Sequence, residues 1–108
     1  MSSNEQAIVN GILLMVGAKF PSTVRLWRNN TGALKDGNGR VVKFGCPGSP
    51  DLLGVIRPGF FLGIEVKDRT RQSEQQKNFQ AMVGSMGGIY LLVHSVEEAE
   101  RELLIRGG

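Results

Sequence analysis

Three side chains in this chain have types and spacing suited to chemistry: Asp51, Glu65 and Lys67. Pro50-Asp51 opens a short apolar run, Leu52-Leu53-Gly54-Val55-Ile56. A second run, Phe60-Phe61-Leu62-Gly63-Ile64, ends in Glu65-Val66-Lys67. Carboxylates are hard oxygen donors that suit Mg²⁺ or Mn²⁺. A lysine beside them can orient or deprotonate an attacking water and offset charge on a phosphate. An acid pair with such a lysine is the equipment of phosphodiester hydrolysis. Taken without the lysine, the pair reads equally well as two surface acids at strand ends.

The spacing also suggests how the three meet. Both runs are rich in Val, Ile, Leu and Phe, and Arg57-Pro58-Gly59 separates them, so they read as a hairpin. If those three residues form the loop, Ile56 faces Phe60 and the same register puts Asp51 opposite Glu65. Opposed residues share a face, with Cβ atoms about 4.5–5.5 Å apart. Two carboxylates that close repel unless a cation or a proton lies between them. On that basis, replacing either acid by alanine is expected to preserve or raise metal-free stability. A loop one residue shorter, or a bulge, would set Asp51 opposite Val66 and off the face of Glu65. Strand alternation keeps Glu65 and Lys67 on one face and turns Val66 to the other.

The remaining elements must position this patch. Ser2 to Lys19 reads as a helix, with Ile8, Val9, Ile12, Met15 and Val16 at helical spacing. Glu5 precedes Ile8, Val9 and Ile12 on that inward stripe, where an acid can support the site; it is also the third residue of a capping box begun by Ser2. Strands are expected at Val24–Asn30, Arg40–Phe44 and Ile89–Val93. Turn signals lie at Asn30-Thr31-Gly32 and Asp36-Gly37-Asn38-Gly39. A helix over Ser73–Met86 stops at Gly87-Gly88. A last helix, Val96–Ile105, follows the capping box Ser95-Val96-Glu97-Glu98. The order α-β-β-β-β-α-β-α describes one α/β domain over residues 1–108, a mixed sheet flanked by helices. Both hairpin faces are apolar, so its strands read as buried and central. Trp27 and Phe44 are expected in the core. Gln76 shares a helix face with Phe79 and Val83 and points at the sheet, either beside the lysine or as an amide serving loop backbone. Gln75 and Lys77 should face outward.

With these residues in view, the chain resembles the PD-(D/E)XK nuclease superfamily and, within it, the virus-type replication-repair (VRR-NUC) branch. The resemblance rests on Gly48-Ser49-Pro50-Asp51-Leu52, Glu65-Val66-Lys67 and Ser73-Glu74-Gln75-Gln76-Lys77-Asn78-Phe79, with Glu5 as an early helical acid. It runs from Glu5 to about Val93. It implies a restriction-endonuclease-like core and a Mg²⁺- or Mn²⁺-dependent endonuclease. Asp51, Glu65 and the Val66 backbone carbonyl would hold the metal. Lys67 would be catalytic, with Gln76 and Glu5 assisting, and the products would carry a 5′-phosphate and a 3′-hydroxyl. Small stand-alone members occur in phages, and this chain looks like one. That implies branched DNA such as a four-way (Holliday) junction as substrate, and a homodimer with two sites. A flap or restriction-type nuclease on the same scaffold is the enzymatic alternative. A non-catalytic DNA-binding module is the other.

Composition agrees with a polyanionic partner. The net charge is +3 over 108 residues. From Lys19 to Lys77 there are eleven Lys or Arg against five Asp or Glu, while acids gather at Glu97, Glu98, Glu100 and Glu102. Arg28 and Asn30 at a strand end, and Arg69, Arg71 and Lys77 around the exit from the site, are the candidate phosphate contacts. A turn that favours Asn explains the first group equally simply, and for Arg69, Arg71 and Lys77, each taken alone, a solvated charge is the simpler reading. Cys46 is the only cysteine and His94 the only histidine. An intrachain disulfide, a cysteine zinc cluster and a two-histidine site are therefore excluded. With no apolar run of about 18 residues, no membrane span is expected. No signal peptide is read either, and a cytoplasmic location is expected.

Overall fold

A computed structural model describes residues 3–30 and 32–108. Its elements are α1 (Ser3–Lys19), β1 (Val24–Arg28), β2 (Gly32–Lys35), β3 (Val41–Phe44), β4 (Leu52–Ile56), β5 (Phe60–Val66), α2 (Glu74–Ser85), β6 (Ile89–Val93) and α3 (Val96–Ile105). Four strands form a mixed sheet in the order β1-β4-β5-β6. β1 and β5 flank β4 antiparallel, and β6 joins β5 in parallel. A parallel neighbour needs a crossover rather than a hairpin, and α2 supplies it.

The sheet's two faces differ in cover. Val24, Leu52, Ile56, Leu62, Ile64, Val66, Leu91 and Val93 point to one side and meet Val9, Ile12, Met15 and Val16 of α1 and Ala99 and Leu103 of α3. This is the core. Helix α2 lies on the other side, where Val83 is its buried residue. It covers only the β5–β6 part of that face. Trp27 is therefore 52% exposed and Val55 45%; Phe61, although on β5 beside Phe79 and Met82 of α2, is still 38% exposed. The expectation of two buried hairpin faces, and of Trp27 in the core, fails here because no second helix among the described residues packs over β1 and β4.

The segment between β1 and β4 departs most from expectation. In place of a sheet strand over Arg40–Phe44, Val41–Phe44 pairs with the short, unanticipated strand β2 in a separate two-stranded ribbon. Every residue from Gly32 to Pro47 is exposed, Phe44 included. Asp36 closes the ribbon's turn by accepting from the N–H groups of Asn38 and Arg40, both at 2.9 Å.

Caps also differ in detail. Ser73 and Gln76 form a reciprocal capping box at α2: Gln76 N–H donates to Ser73 Oγ at 3.1 Å, and Gln76 Oε1 accepts from Ser73 N–H at 2.9 Å. Ser95 Oγ caps Glu98 N–H at α3, but the Glu98 carboxylate turns to the N–H and Nδ1 of His94 instead of back to Ser95. The expected N-cap of α1, Ser2, lies outside the described residues.

Candidate active site

The β4–β5 hairpin sets the site's geometry. Its register pairs Ile56 with Phe60 and Leu52 with Ile64, as expected from a three-residue loop. One step beyond Leu52–Ile64 lie Asp51 and Glu65, on the face that carries α2. The Asp51 carboxylate does more than sit opposite: its Oδ2 accepts from Val66 N–H at 2.8 Å. On its other flank, Asp51 C=O accepts from Asn29 N–H at 2.9 Å. Asp51 is thus tied to β5 through its side chain and to the end of β1 through its backbone.

The loop before Asp51 is held as firmly. Asn29 Nδ2 donates to Ser49 Oγ at 2.5 Å and to Pro50 C=O at 2.9 Å. Pro50 is fully buried, and its ring lies over Gly63, where an added Cβ would come within 2.8 Å of it. Gly48 has φ +80°, and a Cβ there would meet Gln75 C=O at 2.2 Å. The loop backbone therefore presses directly on the first turn of α2, which only glycine permits. These contacts explain why a loop with two glycines and two prolines ends in one defined acid.

Glu65 is the electrostatic centre. Its side chain is nearly inaccessible, and its Oε2 is the buried side-chain oxygen without a hydrogen-bond partner among the described residues. Burial raises its pKa to about 8, aided by the hydrogen bond and the charge of Asp51 and by the more distant charge of Glu5. The positive charge of Lys67 works in the opposite direction. Lys67 follows on the same face, half-buried, and its backbone N–H extends the β5–β6 pairing by donating to Val93 C=O at 3.0 Å.

Glu5 is buried, as its place on the inward stripe of α1 implies. Its Oε2 accepts from Asp68 N–H at 2.9 Å and from Thr70 Oγ1 at 3.5 Å. It thereby fixes the chain just past Lys67. Gln76 lines a cleft of ≈ 400 Å³ together with Asp51, Glu65, Ser49, Lys43 and Phe44. Its Oε1 serves the α2 cap, which leaves its amide nitrogen for the cleft. Gln75 and Lys77 are exposed, as expected.

The candidate phosphate contacts divide. Arg69, Arg71, Lys77 and Asn30 are exposed. Arg28 is not brought to the acid pair. It pairs with Leu52, so its side chain leaves the sheet on the α1 face, where its guanidinium donates to Asn10 Oδ1. Its neighbour Asn29, on the site face, instead organises the loop before Asp51.

One contributor escaped the sequence: Tyr90. Its hydroxyl accepts from Gln72 Nε2 at 3.3 Å, and Gln72 also donates to Gln80 Oε1 at 3.0 Å. The Tyr90 pKa is pushed up to about 12, first by burial and then by the negative charge of Glu65. A Tyr–Gln–Gln chain thus backs Glu65 from α2 and β6. The signal was present only in the register, since Tyr90 pairs with Gly63, two residues before Glu65 on the same face.

The donor set can be tested against a divalent cation. Among the described residues no group of three or more His, Cys, Asp and Glu side chains could hold a metal ion. Two carboxylates are present, one with an unpartnered buried oxygen. Such a pair fits a cation whose other ligands are neutral oxygens, from backbone carbonyls and water. No family model matches the chain, and no curated protein matches it significantly. The fold and site together define a mixed α/β domain with an acid pair of which Glu65 is buried and Asp51 partly so, an adjacent lysine and an open cleft. No helix among the described residues is long and apolar enough to cross a membrane.

Proposed function

We propose that this chain is a Mg²⁺- or Mn²⁺-dependent DNA endonuclease with a PD-(D/E)XK core, of the virus-type replication-repair branch. The observation that supports it most is the unpartnered, buried Oε2 of Glu65 beside Asp51. A buried carboxylate oxygen with no donor is costly unless a proton or a cation satisfies it. The metal would be held by Asp51, Glu65 and the Val66 carbonyl, and would supply the positive charge that acidifies water and polarises a phosphate.

The chain's own residues do the rest. Lys67 holds the attacking water beside the acid pair and offsets the charge that builds on the phosphate, while the proton of the water passes to solvent. The new bond forms between water oxygen and phosphorus. The bond from phosphorus to the 3′-oxygen breaks and that oxygen takes a proton from solvent, leaving a 5′-phosphate and a 3′-hydroxyl. The Gln76 amide orients the water from the α2 side. Glu5 keeps the segment after Lys67 in place through Asp68 N–H and Thr70.

Removing the lysine separates its roles. Lys67→Ala should lower turnover about 10²–10³-fold, the usual worth of one donor aimed at developing charge. DNA affinity should change less than about threefold, because it is spread over many phosphate contacts. Equal losses of binding and turnover would make Lys67 a phosphate anchor instead.

The substrate we propose is branched DNA cut by a homodimer, because one site cuts one strand and a two-fold dimer presents two. Exposed Trp27, Val55 and Phe61, on one face of the sheet, offer apolar surface for such a contact. The test is a panel of labelled four-way junction, flap and linear duplex, with light scattering on the same samples. Paired cuts on the junction by a species of twice the chain mass are expected. A monomer that trims only the flap would defeat the junction reading.

A further inference from the structure

The β2–β3 ribbon is unexplained by the fold. It makes no substantial packing contact with another helix or strand. It also helps to make the molecule long: the radius of gyration is 14.6 Å and the extents are 48 × 31 × 25 Å, against about 13 Å for a compact chain of this length. A lone two-stranded ribbon is at best marginal in water. Yet this one carries Leu34, Val41, Val42 and Phe44, all exposed.

Its charge is one-sided. Ala33 faces Lys43 and Lys35 faces Val41, so both lysines lie on one face; Leu34, Val42 and Phe44 lie on the other. Arg40 adds a third cation beside the turn. The only acid, Asp36, is occupied by two backbone N–H groups of that turn. None of the ion pairs among the described residues involves Lys35, Arg40 or Lys43. The ribbon's base, through Lys43 and Phe44, walls the same cleft as Asp51 and Glu65.

We infer that this ribbon is an arm that grips duplex DNA flanking the bond to be cut. Lys35 and Lys43, on one face of the ribbon, and Arg40 beside its turn lie along the phosphates of the duplex backbone. The charge of the lysine face speaks against a second copy as its occupant, because an isologous contact through that face would bring the cations toward their own copies, and like charges across an interface are unfavourable. The chain's acidic cluster offers little in exchange, since Glu98, Glu100 and Glu102 already pair with His94, Lys19 and Arg106. The inference extends the nuclease reading but is measured apart from cleavage.

The experiment is fluorescence anisotropy of a labelled duplex DNA with the full chain in EDTA, across a salt series. One variant carries Lys35→Ser, Arg40→Ser and Lys43→Ser; all three residues are exposed, so the fold should survive. A control removes as many charges elsewhere, by Arg25→Ser, Arg57→Ser and Arg101→Ser. The ribbon variant should bind at least about tenfold more weakly at 0.1 M salt, with the salt slope smaller by about 2–3, roughly one for each phosphate that the three cations no longer neutralise. The control should change less. Equal weakening in the two variants, or an unchanged slope in the first, would overturn the arm. So would a Leu34→Ser/Val42→Ser variant that turns a dimer into a monomer while keeping its DNA affinity, because the ribbon would then join copies. If the arm variant behaves as expected but the wild type never cleaves with Mg²⁺, the nuclease reading fails and the arm stands. If the wild type cleaves and the arm variant binds normally, the reverse holds.

Discussion

Asp51→Asn should abolish cleavage and leave the fold intact, whereas Asp51→Ala should damage both. The distinction comes from the hydrogen bond between Asp51 Oδ2 and Val66 N–H. An asparagine oxygen can still accept that bond, but it lacks the charge a cation requires. Loss of a metal ligand removes several kcal/mol of charge stabilisation, so turnover should fall by about three orders of magnitude or more. Alanine additionally leaves a buried N–H unsatisfied, which costs about 1–3 kcal/mol. Relief of the repulsion with Glu65 offsets only part of this. Asp51→Ala is therefore expected to melt below wild type, contrary to what charge repulsion alone suggested from the sequence. Thermal melts in EDTA check the first half and plasmid nicking the second. An Asp51→Asn chain with wild-type Mg²⁺-dependent cutting would remove Asp51 from the site.

Glu65→Gln should give the largest pH-dependent effect. The folded-state pKa of about 8 lies above the ordinary value of 4.5. A raised pKa means that the folded state binds the proton more tightly than the unfolded state. The stabilisation is complete below about pH 4.5 and is lost as pH rises through 8. Without metal, wild type should thus fall behind Glu65→Gln between those limits, by on the order of 5–10 °C in Tm at pH 9. At pH 4 the two should melt alike. Mg²⁺ at pH 8.5 should restore the wild type and do nothing for the variant, because a bound cation takes the proton's place. For the same reason the apparent Mg²⁺ affinity of wild type should drop up to about tenfold per unit as pH falls below 8. A Tm difference that ignores pH would show that burial does not hold the proton on Glu65.

Much of the site could be read from spacing because one hairpin carries it. Arg57-Pro58-Gly59 fixed the loop length, and strand alternation then placed Asp51, Glu65 and Lys67 together. Glu5 was legible for a similar reason, since helical periodicity put it on the buried stripe. What required long-range pairing was not legible. Tyr90 reaches Glu65 only through the parallel register of β6 on β5. Arg28 leaves the sheet on the α1 face because β1 pairs with β4 in one particular register, and its sequence neighbour Asn29 takes the place beside Asp51. Trp27 and Phe44 looked like core residues because aromatic side chains usually are. They are exposed because no helix among the described residues covers β1 and β4 on the site side and because β3 pairs with β2 outside the main sheet. The strand β2 was hidden by brevity: Gly32–Lys35 lies between two turn signals and shows no alternation long enough to read.

The most direct measurement of the central claim is nicking of supercoiled plasmid by the wild-type chain in Mg²⁺, in EDTA, and beside Asp51→Asn in Mg²⁺. Nicks are expected in the first lane alone, with ends that a ligase can reseal because they carry 5′-phosphate and 3′-hydroxyl. Nicking that persists in EDTA, or that Asp51→Asn performs as well as wild type, would contradict a metal-dependent site at Asp51 and Glu65.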